Sequence, residues 1–291
     1  MTADARFTVA AAQMCSTDDL AHNLATVRRL AAEAAARGAA LFALPECFAF
    51  IGRKLADKLA VAESLEGLTG SPNSADGPIV ETVREIATTH GMWVVAGGLP
   101  EKLPGGAGDR VYNTCLVVDG AGQRRAAYRK IHLFDVAIPG RAELCESAST
   151  AAGHEVVVSD TPVGKLGLSI CYDVRFPELY RQLALEMGAE VLMVPAAFTA
   201  HTGAAHWHTL LKARAIENQC WVVAPAQHGR HNEKRESFGH TVVIDPWGQV
   251  VAEVERGDGL AVAEIDRAAM ARVREQMPCA THAVLGPGRE G

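Results

Sequence analysis

Three blocks of this 291-residue chain occur twice, in the same order. Gly38-Ala-Ala-Leu-Phe-Ala-Leu-Pro-Glu-Cys-Phe48 is echoed by Gly188-Ala-Glu-Val-Leu-Met-Val-Pro-Ala-Ala-Phe198: a glycine helix stop, a buried strand, then proline. Met92-Trp-Val-Val-Ala-Gly97 matches Cys220-Trp-Val-Val-Ala-Pro225. Leu116-Val-Val-Asp-Gly-Ala-Gly-Gln123 matches Val242-Val-Ile-Asp-Pro-Trp-Gly-Gln249, with Asp119 and Asp245 126 residues apart. Many βαβ proteins share one such block; three in one order point to duplication. The repeat predicts two half-domains of one α/β topology, each supplying a sheet, packed face to face with helices outside.

Local signals fill in the halves. Phe7–Ala12 reads as a strand, and Asp18–Arg37 as a helix with Thr17 or Asp18 near its N-cap and Gly38 at its C′ position. Ala40–Leu44 is the next strand, Pro78–His90 a helix stopped by Gly91, and Met92–Gly97 a strand again. Asp119-Gly120 and Asp245–Gly248 read as hairpin turns, and the glycine-rich Lys102–Asp109 as a surface loop. That loop is no phosphate cradle, since no Lys-Ser/Thr follows it and no helix opens there. With no linker dividing the chain, residues 1–277 read as one domain and 278–291 as a tail without periodicity.

Composition narrows the function. At 48% hydrophobic residues and a net charge of −6, the chain has enough apolar material for a large core and is not disordered. Lys+Arg 28 against Asp+Glu 34 leaves no basic excess, which argues against nucleic acid or an anionic membrane as a partner. Nor does any run approach the roughly 18 apolar residues of a membrane span. Phe7–Met14 is too short for a signal peptide, and the polar Met1–Arg6 before it lacks the basic flank of one. The seven cysteines (Cys15, Cys47, Cys115, Cys145, Cys171, Cys220, Cys279) are odd in number and show no C-x-x-C pair, which fits free thiols in a reducing cytoplasm.

Four residues invite chemistry. Cys171 ends an expected strand, Val163–Ile170, just before a helix expected over Phe176–Met187 with Pro177 in its first turn. At such a bend, amides and a helix N-terminus can activate a thiol and hold an oxyanion, although a buried structural cysteine fits the position equally well. Glu46 follows a buried strand and Pro45, at the sheet edge where open α/β folds form their crevices. Partial burial there is expected to raise its pKa toward a value suited to proton transfer, whereas a solvent-facing glutamate is the plainer reading. Alternation in Ala127–Asp135 puts Tyr128, Lys130 and His132 on one face and Arg129 and Ile131 on the other, so Lys130 is either a pocket cation or an exposed strand lysine. Glu146 follows a loop and says nothing by itself. His201-Thr-Gly-Ala-Ala-His-Trp-His208 looks metal-like, but helical residues two apart do not share a face, and no zinc spacing exists elsewhere. No metal site is therefore expected. The run Arg230–Glu236 reads as a solvated loop that could also reach over a crevice to an acidic substrate.

Together, Leu44-Pro-Glu46, Arg129-Lys-Ile-His132 and Ile170-Cys-Tyr-Asp-Val-Arg-Phe-Pro-Glu178 resemble the nitrilase, or carbon–nitrogen hydrolase, superfamily in its order of Glu, Lys, Cys. The resemblance runs from Phe7 to about Met277. It implies a four-layer α-β-β-α sandwich with internal pseudo-two-fold symmetry, in agreement with the duplication, and pairing of sandwiches into homodimers or larger assemblies. It implies a small-molecule amide substrate and no cofactor. Cys171 would be the nucleophile, Glu46 the general base and acid, and Lys130 with the Tyr172 amide the oxyanion stabilisers. Glu146 would be the second glutamate, orienting Lys130. Within the family, Thr202–Arg230 and His231–Gly248 are similar to the deaminated glutathione amidases. The ω-amidases share the Thr-Gly-Ala-Ala-His-Trp segment but match Gln227–Glu236 less. An α-keto acid substrate would call for a carboxylate site, with Arg175, Arg214 and Arg230 as candidates. The tail Ala280–Gly291 departs from the basic, tyrosine-containing ending common in the family, so no contact is carried over to it.

Overall fold

The computed structural model describes residues 6–65, 76–106, 108–137 and 144–284. Strands, numbered along the chain, form two six-stranded sheets. The first runs β16 (Gly259–Asp266), β1 (Arg6–Gln13), β2 (Leu41–Leu44), β3 (Trp93–Lys102), β4 (Val111–Val118), β5 (Arg124–Arg129). The second runs β8 (Val158–Thr161), β9 (Gly164–Leu168), β10 (Val191–Met193), β11 (Trp221–Ala224), β14 (Thr241–Ile244), β15 (Val250–Val254). Two short ribbons, β6 (Asp135–Val136) with β7 (Leu144–Cys145) and β12 (His228–Arg230) with β13 (Glu236–Phe238), stand outside them.

The two sheets repeat each other. In both, the neighbours pair antiparallel, parallel, parallel, antiparallel, antiparallel. Even the irregularities correspond: the register shifts between Val117 and Val118 in β4 and between Val243 and Ile244 in β14. The following turns are closed alike. Asp119 Oδ1 accepts from the amides of Ala121 and Gln123 at 3.0 and 2.9 Å, and Asp245 Oδ1 from those of Trp247 and Gln249 at 2.9 Å each. Gly122 and Gly248 supply the positive φ (77° and 89°) that each turn needs.

Period-two alternation makes the layers. Val9, Ala11, Leu41, Ala43 and Val95 share a core with Leu166, Leu168, Val222 and Val243 of the other sheet. The intervening Ala10, Ala12, Phe42, Leu44 and Val94 pack instead with Leu24, Val27, Ile79 and Val83 of the helices α1 (Leu20–Ala36) and α2 (Pro78–His90). Helix α3 (Pro177–Arg181), which passes into a wider turn over Gln182–Glu186, and α4 (Ala200–Asn218) serve the second sheet through Leu179, Leu183, Trp207 and Leu211. The result is the α-β-β-α sandwich expected from the repeat.

Most boundaries agree with the sequence reading, and the differences have local causes. The N-cap of α1 is Asp19, one residue beyond the expected pair, because its carboxylate accepts from the His22 amide at 2.9 Å. Strand β3 continues past Gly97 to Lys102 through a register shift at Ala96–Leu99. Within the expected loop, Pro104–Gly106 forms a 3₁₀ turn; residue 107 lies outside the described residues. Helix α5 (Arg267–Gln276) leads into the tail, where α6 (Cys279–His282) is a single turn; residues 285–291 lie outside the described residues.

Candidate active site

The ends of the parallel strands β2, β9 and β10 converge where the halves meet. A Cβ on Gly97 would lie 2.2 Å from Pro195 Cβ and 2.5 Å from the Leu44 carbonyl, so this copy of the repeat carries glycine where the other carries Pro225. Cys171 leaves β9 with φ 50°, a backbone that L-residues avoid, and opens a 3₁₀ turn, Cys171–Arg175, ahead of α3. Its strain is held by Asp173, whose side chain is fully buried. Asp173 accepts from the Ile170 amide at 2.8 Å, the Tyr128 hydroxyl at 2.7 Å and the His132 amide at 3.0 Å, and its Oδ1 lies 2.7 Å from His132 Nδ1. Of the first three amides of this turn, Cys171 donates to Pro195 and Asp173 to Ile170, while that of Tyr172 has no backbone acceptor among the described residues.

Around the buried thiol stands a polar cluster built from both halves. Glu46 follows β2 and Pro45; its Oε1 accepts from Lys130 Nζ and Asn113 Nδ2, both at 2.9 Å, and its Oε2 from the Ala197 amide at 2.8 Å. The position matching Glu46 in the second copy is Ala196, and the amide just after it holds the glutamate. Lys130, the residue after β5, also reaches both oxygens of Glu146, at 3.2 and 2.8 Å. Glu146 is itself fixed by the β6–β7 ribbon, where the Phe134 amide donates to it at 2.8 Å. Gln227 buttresses the wall, donating to the Glu46 carbonyl at 3.1 Å and to Ser16 Oγ at 2.8 Å.

Charge decides the resting protonation. Burial alone would raise the Glu46 pKa, but the ammonium of Lys130, with Arg235 behind it, brings it down to about 2. This reverses the upward shift expected from burial in the sequence reading. Burial likewise opposes charge on Lys130, yet Glu146 and Glu46 hold it protonated well above the usual lysine range. Burial, and then the charge of Glu46, push the Cys171 thiol well above its ordinary value. The resting site is therefore a carboxylate, an ammonium and a neutral thiol in contact, with proton transfer from sulfur to Glu46 uphill until something relieves Lys130.

The sequence profile of carbon-nitrogen hydrolases matches residues 8–275. The chain belongs to the carbon-nitrogen hydrolase family. It is 45% identical over 277 residues to a deaminated glutathione amidase of Homo sapiens, covering 94% of this chain and 81% of that protein. It is 44% identical over 281 residues to a deaminated glutathione amidase of Synechocystis sp. (strain PCC 6803 / GT-S), covering 96% of this chain and 98% of that one. The crystal structure of the Caenorhabditis elegans NitFhit protein superposes with a TM-score of 0.87 at 44% identity, covering 97% of this chain and 66% of that chain. This chain thus spans under two thirds of the NitFhit chain.

Against this family background, the structure gathers Glu46, Lys130, Glu146 and Cys171; of the candidate arginines, Arg230 and Arg214 are engaged elsewhere, while Arg175 stacks on the residues that follow Cys171 and Ala197. Arg230 donates to the carbonyls of Asn232 and Glu233 in its own hairpin, at 3.3 Å each, and is exposed. Arg214 is buried, donates to the Val174 carbonyl at 3.0 Å and lies over the Tyr180 ring. Arg175 sits over the rings of Tyr172 and Phe198 with Nη1 3.2 Å from His206 Nδ1. Besides Lys130 and Lys58, the cation that acts on the cluster is Arg235, which the sequence reading passed over within its charged run. Its charge is felt by Glu46, Cys47, Glu146 and Cys171, and among the described residues its guanidinium has no hydrogen-bond acceptor or ion pair. Asn113 and Asp173 were missed as well. Asp173 lay inside the quoted Cys-Tyr-Asp motif, and only its partners, 41 and 45 residues away, reveal its task.

Proposed function

We propose that this chain is a cofactor-independent cysteine amidase that hydrolyses deaminated glutathione to 2-oxoglutarate and cysteinylglycine, a metabolite repair. The observation that carries the chemistry is Lys130, shared at 2.9 and 2.8 Å between Glu46 and Glu146 beside a buried thiol. In this reading Cys171 Sγ attacks the γ-amide carbonyl while its proton passes to Glu46. The developing oxyanion is met by Lys130 and the Tyr172 amide. As Lys130 turns to the oxyanion its hold on Glu46 slackens, so the proton affinity of Glu46 rises at the moment it must accept. Glu46 then gives the proton to the departing amine, leaving a Cys171 thioester. Water deprotonated by Glu46 cleaves that thioester, releasing 2-oxoglutarate and restoring the thiol.

Two observations support the substrate. Relatives 44 and 45% identical over nearly the whole chain are named deaminated glutathione amidase. The free guanidinium of Arg235 suits the carboxylate of an α-keto acid. The test is kcat/KM on deaminated glutathione and on 2-oxoglutaramate in one assay of 2-oxoglutarate release. Preference for the tripeptide analogue is expected; preference for 2-oxoglutaramate would make the protein an ω-amidase. A cytoplasmic setting and homo-oligomeric assembly belong to the same proposal. The seven free cysteines support the first, and a single-chain mass by light scattering would remove the second.

A further inference from the structure

Outside the active site, two imidazoles and a carboxylate from three separate elements meet on the outer side of the second sheet. His208 stands on α4, His240 just before β14, and Glu253 on β15. Glu253 Oε1 lies 2.9 Å from His208 Nε2 and 2.6 Å from His240 Nδ1, and the three ligating atoms lie within 4.8 Å of one another. The backbone is shaped to put His240 there: its φ is 58° and that of Gly239 is 79°, while Trp207 Nε1 holds the His240 carbonyl at 2.8 Å. Phe238 stacks on the His240 ring at 4.3 Å and 23°, closing one side. The other side is open to solvent, with the side chains of His208, His240 and Glu253 34%, 25% and 24% exposed.

We propose that His208, His240 and Glu253 form a binding site for a divalent transition ion of zinc type. Two imidazole nitrogens and one carboxylate oxygen are the donor set of zinc sites that keep an open position. Around a tetrahedral ion, at bond lengths of about 2.0–2.1 Å, ligand atoms stand roughly 3.3 Å apart, within reach of small rotations of these half-exposed side chains. Each imidazole presents its lone pair once its N–H has moved to the opposite ring nitrogen, and Glu253 exchanges two hydrogen bonds for one metal bond. Helix periodicity separates His206, which lies beside Arg175, from His208, whose partners come from residues 32 and 45 positions further on, where the sequence reading expected no metal site.

The ion would act as a clamp. Phe238, which stacks on His240, ends the β12–β13 hairpin that carries Arg235, and its amide donates to the Phe198 carbonyl ahead of α4. Gly203 on α4 leaves room for that contact, since a Cβ there would lie 2.4 Å from Phe238 Cβ. An ion joining α4 to residues on both sides of β14 would lock the root of this hairpin.

The experiment is a Co²⁺ titration of the metal-free full chain, followed by visible absorption and thermal unfolding. One equivalent should give the d–d bands of nitrogen and oxygen ligation, no thiolate charge-transfer band, and a Tm rise of about 5 °C at saturating ion. His208→Ala and the near-isosteric Glu253→Gln should each weaken binding at least tenfold and lose the Tm rise, with metal-free amidase activity unchanged. Unaltered affinity in both variants, a thiolate band that marks a cysteine ligand, or no binding by the wild type at millimolar Co²⁺ would each overturn the proposal.

Discussion

Replacing Lys130 by methionine should give stability a pH dependence between pH 5 and 8 that the wild-type pair does not impose, because the lysine is what keeps the buried Glu46 carboxylate charged. Lys130 and Glu46 have side chains only 2% and 4% exposed, and Glu146 13%. Removing one partner of a buried pair costs about 3–5 kcal/mol. For a chain of this size that is a Tm loss of roughly 10 °C at pH 8. In the wild type, the folded pKa of Glu46, about 2, lies below its ordinary 4.5, so its contribution is complete above pH 4.5 and fades only as the pH falls toward 2. Lys130, raised by its partners, contributes fully until the pH passes its ordinary 10.5 and loses that contribution through its folded value. Neither group titrates between pH 5 and 8, and they impose no slope there. Without the ammonium, burial raises the Glu46 pKa, so the folded variant binds a proton more tightly than the unfolded chain. Its Tm should climb as the pH is lowered from 8 to 5. Differential scanning fluorimetry across that range, on wild type and variant together, reads the sign directly. In the proposed mechanism the same change removes an oxyanion donor, worth about 10²–10³ in kcat, and lets Glu46 take up a proton at rest. A variant Tm profile parallel to the wild type, or kcat within tenfold of it, would refute the electrostatic account.

Three further outcomes follow from single contacts. Cys171→Ala should abolish turnover and leave Tm within about 2 °C, since a small, strained residue replaces another; residual turnover above background would remove Cys171 as nucleophile. Asp173→Asn leaves at least one buried donor unmatched and weakens the remaining charge-assisted bonds, about 3 kcal/mol in all, so Tm should fall by roughly 6–10 °C with kcat depressed; an unchanged Tm would show that the bend holds itself. Arg235→Met should raise KM for a keto acid amide about tenfold or more while Arg230→Ala stays within about twofold. Steady-state kinetics giving the reverse order would return the carboxylate site to Arg230.

What could be read in the sequence was what local interactions decide. The turns at Asp119 and Asp245 are closed by their own side chains within four residues, and Gly91 and Gly38 stop helices through their own φ angles, so both survive as patterns in the chain. Cys171, Glu46 and Lys130 were legible through resemblance, since each sits in a short motif. What was not legible depends on distance. The charge state of Glu46 is set by a lysine 84 residues away, so burial considered alone gave the wrong direction. Choosing Arg235 over Arg230 required the register of the β12–β13 hairpin. There the His231 amide donates to the Arg235 carbonyl at 3.0 Å, and Asn232 Oδ1 accepts from the amides of Lys234 and Arg235. Five residues of mixed charge do not announce which side chain such a turn will send inward.

The first sheet is bordered by β16, which runs alongside β1 from Arg6 opposite Asp266 to Gln13 opposite Gly259. On the ribosome, then, the first strand made waits for the last one. At about 5–20 residues per second, roughly 10–50 s separate the synthesis of Gln13 from that of Gly259. For that interval an apolar strand edge has no mate, the kind of edge that recruits other chains. Crowded translation, or a premature stop shortly before Gly259, would therefore favour aggregation through β1 over any loss confined to the tail.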